Sequence, residues 1–257
     1  MRIRVLGAHN VESTTTGMVC LLVDDVLAID TGALTSSLSF DEQKKIGSIL
    51  ISHCHYDHIR DVAAIAINMS YFQQTVRICS LPGTLEAIGK HVLNGVVYPR
   101  FDEIKTPDRP PVEYRSLEVG KEAEVEGHKV IPLPMQHAVD TVGYQVTSAD
   151  GKSFFFTGDT GPGLARGLSP VSPQLLIADV TLPNRLVKHG KQTGHLTPGL
   201  LAEELTEFKR QKDYLPLVLL IHVSPMFENE IRSEALEVAK ELDATLDVAY
   251  EGMTIDL

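Results

Sequence analysis

The segment His53-Cys54-His55-Tyr56-Asp57-His58 constrains this chain more than any other. An apolar run precedes it at 48–52 and another follows at 62–71, so it reads as a loop between a buried strand and a helix. His53 and His55 are two residues apart, and in an extended segment such side chains share a side. Asp57 and His58 fall where the chain turns into the helix, from which they can reach a second centre a few ångström away. Imidazole and carboxylate donors suit Zn, Fe, Mn or Ni, whereas a soft site would need more thiolate. Cys54 alternates away from the two histidines and is read as a packing residue.

Four ligands do not complete a two-metal site. Three further candidates stand at strand ends: His137 after Val130-Ile-Pro-Leu-Pro-Met-Gln, Asp159 after Ser153-Phe-Phe-Phe-Thr-Gly, and His222 after Leu217-Val-Leu-Leu-Ile. An ionisable group at the end of a buried strand is costly unless paired or coordinated. Each taken alone has a bland alternative as a turn or strand-end residue.

The rest of the chain supplies the frame. Strands are expected at 2–6, 18–23, 26–29, 48–52, 76–80, 113–117, 122–125, 129–132, 143–147, 153–157, 175–178, 217–221 and 246–250. Helices are expected at 41–46, 62–71, 82–91, 198–210 with Thr197 as N-cap, and 228–242. Each half is mostly strands with flanking helices, which suits two face-to-face sheets with helices outside. The 257 residues are read as a single domain, 1–257. Within it, 95–111 is a loop or lid insertion carrying four prolines and the aromatics Tyr98 and Phe101.

Charge narrows the partners. With 23 Lys+Arg against 34 Asp+Glu the chain stands at −11, which argues against holding long nucleic acids by their backbone. A small anion is not excluded, because a local cation can outweigh the global field. The three cysteines are too few for a disulfide framework and fit a reducing compartment. The N-terminus lacks a signal-peptide pattern, and no apolar stretch has the length of a membrane span. A cytoplasmic protein without membrane association is expected, with a homodimer as the default assembly.

The set His53, His55, Asp57, His58, His137, Asp159 and His222, in this order, resembles the metallo-β-lactamase superfamily of metallohydrolases over nearly the whole chain. The resemblance implies an α/β fold: a four-layer αββα sandwich of two mixed β-sheets, with metals at one edge between the sheets. It implies two divalent ions, zinc first and manganese or iron as alternatives. His53, His55 and His137 would hold one, Asp57, His58 and His222 the other, with Asp159 bridging. Asp57 would also count among the catalytic groups. Asp30 resembles the family's buried Asp that props the metal-binding loop, against the alternative of an ordinary turn residue.

Three local segments narrow the branch: Phe156-Thr-Gly-Asp-Thr-Gly-Pro162, Gly194-His-Leu-Thr-Pro198 and Asn94-Gly-Val-Val-Tyr-Pro-Arg-Phe101. Together they resemble class II cyclic-nucleotide phosphodiesterases. Tyr56 and Asp61 depart from the pattern, where that group usually has Leu and Gly. His195, with Asp179 upstream, is similar to the acid pair of tRNA 3′-processing endonucleases in the same superfamily, and a P–O cleavage benefits from such a general acid. The expected function is hydrolysis of 3′,5′-cyclic nucleotides or a related small phosphodiester, with His195 and Asp179 catalytic and Tyr98 and Phe101 contacting substrate. The alternatives are a tRNA 3′-processing nuclease, a thioester, lactone or β-lactam hydrolase, and lastly a non-catalytic di-iron binding protein.

Overall fold

The computed structural model describes residues 1–105 and 107–257. The expected 95–111 insertion therefore includes one position, 106, outside the described residues.

Fourteen strands form two seven-stranded sheets. The first holds β1 (Arg2–Gly7), β2 (Cys20–Val23), β3 (Leu27–Ile29), β4 (Ser48–Leu50), β5 (Val76–Ser80) and β6 (Val112–Ser116). The second holds β7 (Ala123–Val125), β8 (His128–Met135), β9 (Thr141–Thr147), β10 (Ser153–Phe156), β11 (Leu175–Asp179), β12 (Leu217–Ile221) and β13 (Leu246–Val248). The last strand, β14 (Thr254–Asp256), returns to the edge of the first sheet and pairs antiparallel with β1. Both sheets then share one plan. Across the first, β14-β1-β2-β3 are antiparallel and β3-β4-β5-β6 parallel. Across the second, β7-β8-β9-β10 are antiparallel and β10-β11-β12-β13 parallel.

Period-two alternation separates the layers. Leu21, Ile29, Leu50, Phe154, Phe156, Ile177, Leu219 and Ile221 point into one core between the sheets. Their neighbours Leu22, Ala28 and Ile49 face outward onto the helix Val62–Phe72, in a cluster with Ile65 and Met69. Phe155, Leu176, Ala178 and Leu220 face the other way, onto the helices Pro198–Lys212 and Glu228–Leu242. Strands buried on both faces explain the continuous apolar runs. The result is the expected α/β sandwich of two mixed sheets. Tyr144, fully buried, ties the sheets together: its hydroxyl donates to the Ile51 carbonyl at 2.7 Å.

Several elements differ from expectation. β8 runs through Pro132 and Pro134, although proline removes a ladder donor. Tertiary pairing with β9 carries it through Met135. Short helices at Tyr56–Ile59, Leu164–Gly167 and Val187–Thr193 carry no long periodic signal. The helix Pro198–Lys212 starts as expected, with the Thr197 hydroxyl accepting from the Leu200 N–H at 3.3 Å. Among the described residues no helix is long and apolar enough to cross a membrane.

Candidate metal centre

The parallel strands point their C-terminal ends to one edge of the sandwich, where side chains of both sheets meet. His53 follows β4, Asp159 follows β10, Asp179 closes β11 and His222 follows β12. His53, His58, Asp159 and His222 are all buried.

The ligand atoms form two clusters that share Asp159. In the first, His53 Nε2 and His137 Nε2 lie 3.6 and 3.5 Å from Asp159 Oδ2. His137 Nε2 is 3.2 Å from His55 Nδ1. In the second, His58 Nε2 and His222 Nε2 lie 3.2 and 3.4 Å from Asp159 Oδ1. Asp57 Oδ2 is 3.5 Å from His58 Nε2 and 3.0 Å from His222 Nε2. Neighbouring ligand atoms around a tetrahedral zinc, held at about 2.0–2.1 Å, sit about 3.3 Å apart. All seven residues expected as ligands are thus brought together, at spacings that could hold two cations. Three atoms make the case on their own: His53 Nε2, His58 Nε2 and Asp159 Oδ1 are buried without a hydrogen-bond partner. Such orphans are costly unless something else satisfies them.

A surrounding layer aims these donors. Fully buried Asp30 accepts from the Ser52 N–H at 2.7 Å, the Ser52 hydroxyl at 2.8 Å and His58 Nδ1–H at 2.7 Å. It therefore ties down the 52–58 segment and leaves His58 Nε2 facing the cluster. Asp30 adopts φ +55°, a conformation Asp tolerates better than most residues. His137 Nδ1–H donates to the Gly194 carbonyl at 3.0 Å. Gly194 also ends the helix Val187–Thr193 at φ +76°, and a Cβ there would lie 2.9 Å from His137 Nδ1. Only glycine satisfies both the turn and the approach.

The charges set a consistent pattern. Burial lowers the His53 pKa well below 6.5, and the neighbouring His58 adds to the shift. Burial also opposes protonation of His58 and His222, but Asp159 and the other facing carboxylates outweigh it. His58 is raised, and His222 is pushed up to about 10. Burial opposes the ionised form of Asp159, yet His222 and His58 drive its pKa down. The raised His58 and His222 values mean that a cation at these atoms would compete with protons.

His195 sits over both clusters. Its ring stacks on His222 with centroids 5.2 Å apart and meets His137 at 5.1 Å. His195 Nδ1–H donates to Asp179 Oδ2 at 2.9 Å, which leaves Nε2 without a protein partner among the described residues. Burial lowers the His195 pKa, but the Asp179 charge and hydrogen bond prevail and raise it. Asp179 is fully buried and also accepts from the Thr160 N–H at 3.0 Å.

Tyr98 and Phe101, the residues expected to contact substrate, pack on the outer side of the first sheet. Phe101 is buried in the outer core of the first sheet and Tyr98 packs against that cluster, with ring centroids 5.9 Å apart. Removing apolar ring area from water accounts for both. Asp61, where the phosphodiesterase pattern has Gly, is buried and accepts from the Thr35 N–H at 2.7 Å and from Arg60 at 2.9 Å. Sequence reasoning missed Ser52, the hold of Gly194 on His137 (Gly194 stood there only as part of the 194–198 segment) and Thr181. Adjacency to His53 and His195 was the available signal for the first two, and the i, i+2 spacing from Asp179 for the third.

Ribonuclease Z of Halobacterium salinarum, from two strains, is 27% identical over 158 residues, covering 62% of this chain and 46% of the relative. The match thus spans about half the length of these curated relatives. Among solved structures, yeast PDE1 superimposes with a TM-score of 0.84 at 18% identity, covering 100% of this chain and 99% of that one. The short form of human tRNase Z does so at 0.71 and 18% identity, covering 100% and 99%. At such identities these structures speak for the fold alone. Residues 23–223, a span that contains every ligand candidate, match the beta-lactamase superfamily domain, and the chain therefore belongs to the metallo-β-lactamase superfamily.

Proposed function

We propose that this chain is a binuclear metal-dependent phosphodiesterase acting on 3′,5′-cyclic nucleotides or a related small phosphodiester. The observation that carries the reading is the Asp179–His195 pair, 2.9 Å apart, standing over both ligand clusters. Acyl-transfer chemistry leaves that pair without an evident task, whereas a departing ribose oxygen needs a proton. Divalent cations held by the seven ligands would lower the pKa of water toward neutrality and offset charge on a phosphoryl oxygen. The chain's own residues do the rest. Asp159 aligns the two clusters through its two oxygens. Asp179 fixes the His195 tautomer with the proton on Nδ1, so a second proton on Nε2 is the one delivered to the leaving group. The raised His195 pKa keeps that proton available above the ordinary histidine range.

A groove of about 480 Å³ opens beside His137, lined by apolar Leu81, Val119 and Met135 and by polar Gln136, Asp140 and Thr141. The net charge of −11 disfavours a stable nucleic-acid complex. The test is turnover of cyclic AMP and cyclic GMP by protein with its metal content measured, zinc first and then manganese or iron. No turnover with two metals bound overturns the reading.

A second reading, tRNA 3′ processing, is favoured by the ribonuclease Z relatives and by the same Asp179–His195 pair. Tight binding of pre-tRNA at physiological salt would favour it over the first. We place the protein in the cytoplasm, because Cys20, Cys54 and Cys79 are all free.

A further inference from the structure

The ligating histidines differ in how their second ring nitrogen is held. His58 donates to a carboxylate and His137 to a backbone carbonyl. His53 and His222 instead meet hydroxyls: His53 Nδ1 lies 3.1 Å from Ser52 Oγ, and His222 Nδ1 lies 2.6 Å from Thr181 Oγ1. The same hydroxyl lies 2.6 Å from Asp179 Oδ1. A hydroxyl has one hydrogen. Ionised Asp179 can only accept, so Thr181 donates to it and must accept from His222 Nδ1–H. Asp179 Oδ2 meanwhile accepts from His195. Direct contact between His222 Nδ1 and Asp179 is long, at 3.6 Å. Thr181 is 3% exposed and Asp179 0%, so no solvent can take over the bridge.

We infer that Thr181 is a positioning residue that lets one carboxylate serve two histidines: through its hydroxyl it links Asp179 to His222, while Asp179 itself holds His195. The site is thereby wired so that the second cation's ligand and the proton donor are oriented by a single buried charge. Threonine suits the task because it stands two residues after Asp179 and shares its side of the extended chain. Its β-branch also restricts χ1, which limits the positions open to the hydroxyl. The inference rests on the phosphodiesterase reading only for its kinetic part.

Thr181→Val removes the hydroxyl while keeping the shape, and Thr181→Ser keeps the hydroxyl. Competition with a chelator should show Thr181→Val losing about 10–100-fold in affinity for one of the two zinc ions, as is usual when such outer partners are removed. The other zinc should stay near wild type, and Thr181→Ser should recover most of the loss. Turnover of a substrate with an alkoxide leaving group should fall more than turnover of a p-nitrophenyl phosphodiester, whose leaving group departs without protonation. Wild-type zinc affinity in Thr181→Val, or a Thr181→Ser variant as weak as Thr181→Val, overturns the inference. Should Thr181→Val prove too unstable to purify, Thr181→Ser and Thr181→Cys decide it: a hydroxyl that matters gives near wild-type zinc affinity in Ser and loss in Cys. If wild type cleaves neither substrate, the phosphodiesterase reading fails alone, because the zinc titration is independent of it.

Discussion

Asp30 and Asp179 are both fully buried at the end of a strand, one in each sheet, and each accepts the Nδ1–H of a histidine. Their surroundings differ. Asp30 spends its oxygens on Ser52 and on His58, a residue with no exposure at all. Every group around it is closed off, so it can only hold geometry. Asp179 holds His195, whose side chain is 15% exposed, and shares its other oxygen with Thr181. A buried carboxylate under a solvent-reachable histidine can support proton transfer, whereas one under a sealed histidine supports a ligand. On the proposed reading, the same pair of residue types does two jobs according to which side of the ligand clusters it faces.

That contrast can be broken by mutation. The largest effect is expected from Asp159→Ala, which removes the one residue common to both sides. Elemental analysis should show both metals lost together, and turnover should fall by at least about 10³-fold, several kcal/mol of barrier. Full metal retention would separate the clusters and refute the shared bridge. His195→Ala comes next, with a loss of about 10²–10⁴-fold on alkoxide-leaving phosphodiesters. Its metal content should match wild type, and metal loss would move His195 to the structural side of the comparison. Asp30→Asn should do the reverse, weakening metal binding by about 10–100-fold and lowering the urea midpoint of the metal-free protein. A purely kinetic defect there would erase the distinction.

The smallest effect concerns a third buried pair, remote in role from catalysis. His9 is 3% exposed, with Nδ1 2.6 Å from Glu251 and Nε2 3.4 Å from Glu228. Burial lowers its pKa, but the two glutamates outweigh this and raise it above 6.5. A raised folded-state value means the stabilisation is fully present below pH 6.5 and is lost as pH climbs through the folded pKa. Urea unfolding of wild type and His9→Gln should therefore differ most in mildly acidic buffer and converge in alkaline buffer. A gap that widens with pH would reverse the sign.

How legible each part was follows from where its determinants lie. The segment 53–58 carries four ligand candidates within six residues, so local spacing alone declared it. His137, Asp159 and His222 stand 22 and 63 residues apart. Only the strand-end position marked them, and family resemblance was needed to join them. Tyr98 and Phe101 show the converse: an irregular, aromatic loop suggests contact with substrate, and nothing local says that its rings also pack against a core. β14 was missed because three residues of mixed polarity have no signature until β1 offers an edge to pair with.

The sequence by itself determined the ligand chemistry, the two-sheet class and the sign of the global charge, because residue type, periodicity and composition are local quantities. The tertiary structure alone decided which histidines share which carboxylate, that Thr181 and Gly194 belong to the site, and that Asp30 is sealed while His195 is reachable. Those are matters of distances between segments far apart in the chain, and only the packing of the two sheets sets them.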